Sequence, residues 1–409
     1  MTNKIADFKE DFPLPELSRR VLLSTDIGSD PDDALSLLAI LNSGINLEGI
    51  ITVNGNVESR CCIAQHLINL FGERSGRKIP VAKGESQPLD VRVPPFRNFE
   101  DCLVDWSFID QGKIDVAGDF RFKKLSGLGI IDQGIKFLAG ELSKRSYTIF
   151  NIAPLTNLAK LIEHYPQSAR SIEKVYVMGC RFSPGDLEHN IRHDLKAAEI
   201  VFQSDLPLIV VPGDVCEKYR MPDYFLEQMQ SSAAKYVQHM TKAYLGLSTA
   251  KALASRQIAG ESMPKIIIDY TCLPHQVFEG LSFEEKVVLS EKKKLLLREL
   301  DNVYFPLFEP EQYFKCYSAL VEHLNDPRLN FKLGNIVARE LERIRVRDLS
   351  VADVFVPYCF LHPDQIKTKK GTVKFTSHGE SYLKPEKKHE IVTAINYNHF
   401  QEFLKKYLR

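Results

Sequence analysis

One acidic turn constrains this chain more than any other stretch, because it carries four carboxylates within eight residues. The apolar run at 21–23 before the turn is typical of a buried strand. Residues 34–41 after it carry apolar side chains at helical spacing. The sequence therefore predicts a strand, a tight turn and a helix whose first residues are acidic, which a helix N-terminus favours. The four acids are Asp26, Asp30, Asp32 and Asp33.

Helix capping alone does not explain four acids in this turn. A helix start uses one or two carboxylates, and like charges this close repel each other. A bound cation would relieve the repulsion, and carboxylate oxygens suit Ca²⁺ or Mg²⁺. The alternative is a well-capped surface helix, which the apolar strand before the turn disfavours. The turn is therefore a candidate metal site.

The bulk composition excludes several classes of protein. The chain has 409 residues, 44% of them hydrophobic, which is enough for a large core. Its formal net charge is zero, so no global field favours nucleic acid or an anionic membrane as a partner. The sequence has no apolar run that would span a bilayer, and residues 1–20 lack the apolar core of a signal peptide. Eight cysteines without a CxxC motif indicate reduced thiols, so we expect a cytoplasmic protein.

Apolar runs alternate with helical patterns up to about residue 215, which predicts an α/β fold with a mostly parallel open sheet flanked by helices. From about residue 220 the pattern becomes helical, including 230–248 and charged runs near 284–300 and 332–347. Residues 85–125 show no clear period and are expected to form loops. Strands are predicted at 47–53, 79–81, 147–152, 174–180, 208–211, 372–376 and 390–395, and helices at 59–71, 130–143, 195–203 and 399–408.

Polar residues follow two of these strands directly. Asp26 comes after the first strand and Asn56 after the second. Ligands of parallel sheets bind outside the carboxyl ends of the strands, so both residues are candidate site residues. A plain turn at Asn54-Gly55 is an equally good explanation for the second position on turn chemistry alone.

The acidic turn with its flanks resembles the signature of the inosine-uridine nucleoside N-ribohydrolase family. That signature is an apolar strand, an Asp, a Gly and then Asp-Asp-Ala opening a helix. The loop here is two residues longer, through Asp30-Pro31. Either Asp30 or Asp32 then takes the first place of the family's Asp pair. We align Asp32-Asp33-Ala34 on the helix and treat Asp30 as an extra carboxylate near the metal.

Later stretches add to the resemblance. Glu188-His189-Asn190-Ile191 is similar to the family's Glu-x-Asn-Ile, and residues 154–159 are similar to its Leu-Thr-Asn helix entry. The resemblance implies metal-dependent hydrolysis of the N-glycosidic bond of a ribonucleoside or related N-riboside, with one Ca²⁺ per chain and a small-molecule nucleoside as partner. It leaves open whether the chain forms a homo-oligomer. The implied metal ligands are Asp26, Asp30, Asp33, Asp353 and the carbonyl of Ile152; Asp26 is also the base; the implied ribose contacts are Asp32, Asn56, Glu188 and Asn190.

The last metal ligand has two candidates in the alignment. Residues 352–363 resemble the family's C-terminal helix, which begins with that Asp, and this favours Asp353. Asp269 is the rival, because it lies nearer the family's usual distance from Asp214. The family often has a His just before this Asp, to help the leaving base depart. Here that position holds Ala352, or Ile268 in the rival alignment. Tyr236, His239 and His189 are the possible replacements; a His and two Tyr on the 230–248 helix are more typical of packing.

We expect one domain over 1–409, with a helical insertion at about 250–345. Two other functions remain open from the sequence. A non-catalytic relative would bind metal and ribose without expelling the base. A metal-dependent phosphoryl-transfer enzyme also begins with an Asp after a strand, but its second Asp would stand where this chain has Gly28.

Overall fold

The computed structural model describes residues 15–28, 30–75, 78–90, 129–183, 187–238, 240–241 and 348–409. The chain divides into two compact units. The first comprises Met1–Phe96, Leu125–Val237 and Ser350–Arg409, and the second comprises Arg97–Lys124 and Gln238–Leu349. The predicted insertion at about 250–345 lies outside the described residues, so the prediction of one domain with an insertion stays a prediction.

The first unit is built on a sheet of eight strands among the described residues, in the order β3-β2-β1-β4-β5-β6-β8-β7. All neighbouring strands are parallel except β8 and β7, which pair antiparallel. The prediction of a mostly parallel open sheet flanked by helices is therefore confirmed. The strands are β1 (Arg20–Thr25), β2 (Asn46–Thr52), β3 (Val81–Lys83), β4 (Tyr147–Asn151), β5 (Ile172–Met178), β6 (Leu208–Val211), β7 (Ile366–Phe375) and β8 (Ser381–Ile395).

Helices connect the strands and cover the sheet. The central strands of the sheet are buried, since all five residues of β4 and all four of β6 are buried. Such continuous apolar strands are typical of a parallel sheet covered on both faces. The helices are α1 (Asp32–Asn42), α2 (Val57–Ser75), α3 (Gly134–Lys144), α4 (Thr156–His164), α5 (Pro166–Ala169), α6 (His189–His193), α7 (Leu195–Gln203), α8 (Gly213–Cys216), α9 (Phe355–Leu361) and α10 (Tyr397–Tyr407).

Several boundaries differ from the sequence prediction. The strand expected at 79–81 lies at Val81–Lys83, and the one expected at 174–180 lies at Ile172–Met178. The largest difference is the C-terminal hairpin, because β7 and β8 are far longer than the predicted 372–376 and 390–395. None of the helices among the described residues is long and apolar enough to cross a membrane.

The strand order predicts where a ligand would bind. The chain moves outward from β1 to β3 on one side and then from β4 to β8 on the other, so the order reverses between β1 and β4. In doubly wound sheets the ligand binds in the crevice at this reversal, beyond the carboxyl ends of the strands. Asp26 directly follows β1, and Ile152 directly follows β4. The fold therefore brings both predicted residues to the reversal point.

A buried histidine joins the C-terminal hairpin to α7. The main-chain N–H of Val373 donates to Nδ1 of His389 at 3.0 Å, so the other ring nitrogen carries the proton. That nitrogen, Nε2, lies 3.1 Å from the carbonyl oxygen of Phe202 and donates to it. Burial lowers the pKa of His389 to about 4, and the neighbouring Lys388 adds to the effect. His389 is therefore a neutral packing residue.

This histidine predicts a loss of stability in mild acid. Below its ordinary pKa near 6.5, the unfolded chain takes up a proton at residue 389 that the folded chain refuses, so the free energy of unfolding falls as the pH drops toward 4. We expect His389→Gln, which keeps a donor and an acceptor, to reduce this loss by on the order of 1 kcal/mol between about pH 7 and pH 5. Urea titrations at both pH values measure it. The exposed His378→Gln is the matched control, and equal pH dependence in all three proteins would contradict the prediction.

Candidate active site

The acidic turn lies at the carboxyl end of β1 and is largely buried. Asp26, Asp32 and Asp33 are 7%, 6% and 2% exposed, and Asp30 is half-buried. Gly28 takes a φ of 111° between them, a conformation that an L side chain rarely adopts. Carboxylate oxygens of Asp30, Asp32 and Asp33 all lie within 4.8 Å of one another. The structure thus brings together three of the four acids as one possible ion site, with Asp26 beside them.

The negative charges of neighbouring acids raise the pKa of Asp32 and Asp33. Burial, followed by the charges of Asp26 and Asp30, holds the pKa of Asp33 well above its usual range. The Thr25 hydroxyl opposes this by donating a hydrogen bond to Oδ1 of Asp33. Burial also raises the pKa of Asp32 to about 6, although a side-chain hydrogen bond with Asp30 acts in the other direction. Buried carboxylates crowded together in this way are typical of a site that holds a positive charge.

Asp353 lies at the same site although it is more than 300 residues away in sequence. Its main-chain N–H donates to the carboxylate of Asp32, and the Ser36 hydroxyl donates to its carbonyl oxygen at 3.1 Å. The residue stands in the 3-10 turn Ala352–Val354, just before α9, and is 4% exposed. Burial and the charges of Asp32 and Asp33 hold the pKa of its carboxyl well above the usual range. Asp269 lies outside the described residues.

The buried acids differ in how many hydrogen bonds their carboxylates accept, and this difference distinguishes a structural carboxylate from one that is open to a ligand. Asp194, also buried, accepts from the Thr156 hydroxyl at 2.7 Å and from the main-chain N–H groups of Leu89 and Ala197 at 2.8 and 3.0 Å. Oδ1 of Asp32, in contrast, is buried and has no donor within the part of the chain that the structure describes. A buried carboxylate oxygen without a donor is costly unless something else binds it. The cluster of carboxylate oxygens fits a hard divalent cation, and the orphaned oxygen of Asp32 fits a ligand hydroxyl or that cation.

Ile152 stands where the sequence placed it, at the end of β4. Its main-chain N–H donates to the carbonyl oxygen of Ser24 at 3.0 Å, which puts residue 152 beside the end of β1. The apolar side chain is 1% exposed, so only the carbonyl could serve a ligand. Its role as a metal ligand stays a prediction.

Glu188 and Asn190 lie at the start of α6, close to the end of β5. The Glu188 carboxylate accepts from the main-chain N–H groups of Asn190 and Ile191, both at 2.9 Å, and of Cys180 at 3.2 Å. Burial raises the pKa of Glu188, and these hydrogen bonds act against the rise. Asn190 donates from Nδ2 to the carbonyl oxygen of Met178 at 3.2 Å. Both side chains are therefore fixed by the main chain, and Oε1 of Glu188 keeps room for a further donor.

Asn56 has a different local role from the other predicted residues. Its side chain is exposed, and Oδ1 accepts from the main-chain N–H of Ser59 at 3.1 Å, so it caps the first turn of α2. Its neighbour Asn54 is the residue with a strained main chain, at a φ of 69°. The predicted ribose contact of Asn56 is not tested by this geometry and stays a prediction.

Two residues that the sequence did not single out lie at the same edge of the sheet. The guanidinium of Arg60 is fully buried and reaches the main chain of the acidic turn. His193 lies on α6, with Nδ1 3.4 Å from Nδ2 of Asn54 and its ring 4.3 Å from the ring of His189. Burial, followed by the charges of His189 and Arg60, lowers the pKa of His193 to about 3. No sequence signal marks either residue, because arginine is mostly exposed and histidine is intermediate in burial, so neither type within a helix indicates a buried site.

The leaving-group candidates are not equivalent in the structure. Ala352 offers no proton at the position that holds a His in the family. Tyr236 is 3% exposed, and its ring lies edge-on to the ring of His66 with centroids 4.7 Å apart, as expected for packing. His189 is exposed beside His193. His239 lies outside the described residues. Of the named candidates within the described part of the chain, His189 is thus the one open to solvent.

Comparison with known proteins identifies relatives of this chain. Probable uridine nucleosidase 2 of Oryza sativa subsp. japonica is 27% identical over 240 residues, which is 56% of this chain and 66% of that protein. Non-specific ribonucleoside hydrolase RihC of Salmonella paratyphi B is 29% identical over 220 residues, 52% of this chain and 66% of that protein. The chain thus matches just under two thirds of the length of each of these relatives.

A solved structure shares the fold. The inosine-guanosine nucleoside hydrolase IG-NH superposes with a TM-score of 0.55 at 14% identity, covering 95% of this chain and 98% of that one. The family model of the inosine-uridine preferring nucleoside hydrolases matches residues 21–276, which is more than half of the chain and includes the acidic turn. The chain therefore belongs to the inosine-uridine preferring nucleoside hydrolase family.

Proposed function

We propose that this protein hydrolyses the N-glycosidic bond of a ribonucleoside or related N-riboside, releasing the base and ribose, with one Ca²⁺ per chain. The observation that carries the proposal is the acid site at the sheet reversal, where Asp353 joins the acidic turn. Family membership supports the reaction class. The five described cysteines are unpaired thiols, which agrees with the proposed cytoplasmic location.

All of the proposed metal ligands are hard oxygen donors of this chain. Asp26, Asp33 and Asp353 would hold the cation, with Asp30 as a fourth carboxylate and the Ile152 carbonyl as a main-chain ligand. A site made only of oxygen favours Ca²⁺ over softer metals. When bound, the cation would lower the pKa of a water molecule in the site and so make it nucleophilic at neutral pH.

Other side chains of the site would act as the base and would bind the ribose. Asp26 would take the proton of the attacking water, since its carboxylate lies at the end of β1 beside the other acids. Asp32, Asn56, Glu188 and Asn190 would hold the ribose hydroxyls. Cleavage of this bond places positive charge on the ribose ring, and a cluster of buried carboxylates stabilises such charge without needing to reorganise. The main-chain hydrogen bonds on Glu188 fix it in advance for this purpose.

Departure of the base is the step for which the described residues show no dedicated acid, since Ala352 replaces the family's His. A positioned acid typically contributes about 10²–10⁴-fold. We therefore expect a nitrophenyl riboside, whose leaving group needs no proton, to be cleaved far faster than inosine. Release of ribose and of nitrophenol from parallel reactions, with Ca²⁺ and with a chelator, measures the difference. If nucleosides react as fast as the nitrophenyl riboside, His189→Phe, Tyr236→Phe and His239→Phe identify which residue supplies the proton.

The same screen separates the other functions. A non-catalytic relative would bind ribosides in a Ca²⁺-dependent way and release no ribose from any of them. A phosphoryl-transfer enzyme would release phosphate from a nucleotide and leave the glycosidic bond intact. Either outcome would overturn the proposal, provided that the protein is folded and loaded with Ca²⁺.

A further inference from the structure

Arg60 is a fully buried cation directly beneath the acidic turn. It is the largest side chain among the fully buried ones that the structure describes. It lies near the start of α2, on the inward side of that helix. Arginine is almost never fully buried unless its charge is paired. A negative charge is therefore expected close to the Arg60 guanidinium.

The guanidinium binds main-chain oxygens from two strand ends. Nη1 donates to the carbonyl oxygen of Asp26 and, at 3.1 Å, to that of Ile27. Nε donates to the carbonyl oxygen of Asn54 at 2.7 Å. One rigid, planar group thus joins the turn after β1 to the turn after β2, where Asn54 holds its strained main chain. This side chain therefore holds the main chain of the acidic turn in place.

These hydrogen bonds alone do not explain a charged group. Carbonyl oxygens accept equally well from a neutral amide, and burying an ion without a partner charge is strongly unfavourable. The acidic turn supplies negative charge beside the guanidinium, because Nη1 binds the carbonyl oxygens of Asp26 and Ile27, which belong to that turn. The guanidinium and the carboxylates of the turn are therefore buried next to each other, where opposite charges offset the cost of burial.

We propose that Arg60 is a positioning residue that serves as an internal counter-cation, holding the acidic turn assembled when no divalent cation is bound. The metal site is then preformed, and a cation meets ligands that are already in place. This inference rests on the proposed function for the identity of the cation. The role of Arg60 in the metal-free protein does not depend on catalysis.

The test is thermal unfolding of the full chain in chelator and in saturating Ca²⁺. We expect Arg60→Gln, which keeps a donor but loses the charge, to lower the melting temperature in chelator by on the order of 5 °C or more. The drop in Ca²⁺ should be less than half of that. Arg60→Lys, which keeps the charge but loses the fork, should fall between wild type and Arg60→Gln in chelator. The exposed Arg170→Gln is the matched control and should change neither value.

A second substitution separates a counter-charge from a purely structural contact. In chelator, Asp33→Asn should restore most of the melting temperature lost by Arg60→Gln, because one negative charge leaves with the positive one. Equal losses in chelator and Ca²⁺, with no recovery by Asp33→Asn, would overturn the proposal. If Arg60→Gln alone does not fold, a folded double variant of Arg60→Gln and Asp33→Asn supports the counter-charge, and a double variant that also fails to fold overturns it. Absence of any Ca²⁺ effect on the wild type would count against the proposed metal, while the recovery in chelator would still decide the role of Arg60.

Discussion

Asparagine in place of Asp26 is expected to lower kcat for riboside hydrolysis by about 10³-fold or more, while the protein stays folded and monodisperse. An amide has the shape of the carboxylate but does not accept a proton at neutral pH. It also weakens the cation site by one charge. The loss should appear in kcat for both nucleosides and the nitrophenyl riboside, because activation of water precedes departure of either leaving group.

The fold should tolerate this change because Asp26 adds to a repulsion. Its charge is one cause of the raised pKa of Asp33 and of Asp353. In chelator the melting temperature of Asp26→Asn should therefore equal or exceed that of the wild type. The exposed Asp205→Asn is the matched control for an Asp-to-Asn change and should alter neither activity nor stability. A near-normal kcat for Asp26→Asn would show that another group takes the proton.

The sequence predicted the parts of this fold where apolar periodicity and local turn chemistry agree. The strand before the acidic turn and the helix beginning at Asp32 are found as expected, whereas α2 begins at residue 57, two residues before its predicted start. The C-terminal hairpin was underestimated because residues 367–370 of β7 are exposed and read Lys-Thr-Lys-Lys. An exposed edge strand with charged side chains lacks the alternation that marks a strand.

The candidate site divides in the same way. Residues that follow a strand in a local motif, such as Asp26 and Glu188, were visible in the sequence. Arg60 was not, because its type favours a surface and only the tertiary fold brings it under the turn. His193 and Asn54 meet across 139 positions of sequence, a contact that no spacing rule predicts. Long-range partners of this kind contribute to the electrostatics of the site, so sequence reasoning named candidate ligands but missed the residues that surround them.

The second prediction with a large effect concerns which residue, Asp353 or Asp269, is the last metal ligand. The family model ends at residue 276, so its match includes Asp269 and leaves out Asp353. The structure gives direct contacts for Asp353, whose main-chain N–H donates to Asp32 and whose carbonyl accepts from Ser36. Contacts with Asp32 and with Ser36 on α1 are stronger grounds than the end of a sequence match, because a match can end where the sequence diverges although the fold continues.

We therefore expect Asp353→Asn to weaken Ca²⁺ binding by on the order of 10²-fold, and Asp269→Asn to leave it within about twofold of the wild type. Asparagine keeps the size of the side chain and leaves the main-chain N–H that binds Asp32 untouched, so the change reports on the carboxylate rather than on the turn. Calorimetric titration of chelator-treated protein with Ca²⁺ measures both affinities without any substrate. Removal of a buried charge that repels Asp32 and Asp33 should also raise the melting temperature in chelator, which separates a lost ligand from a damaged fold. The reverse pattern, with binding lost in Asp269→Asn and kept in Asp353→Asn, would move the last ligand to residue 269 and make Asp353 a structural acid that only supports the turn.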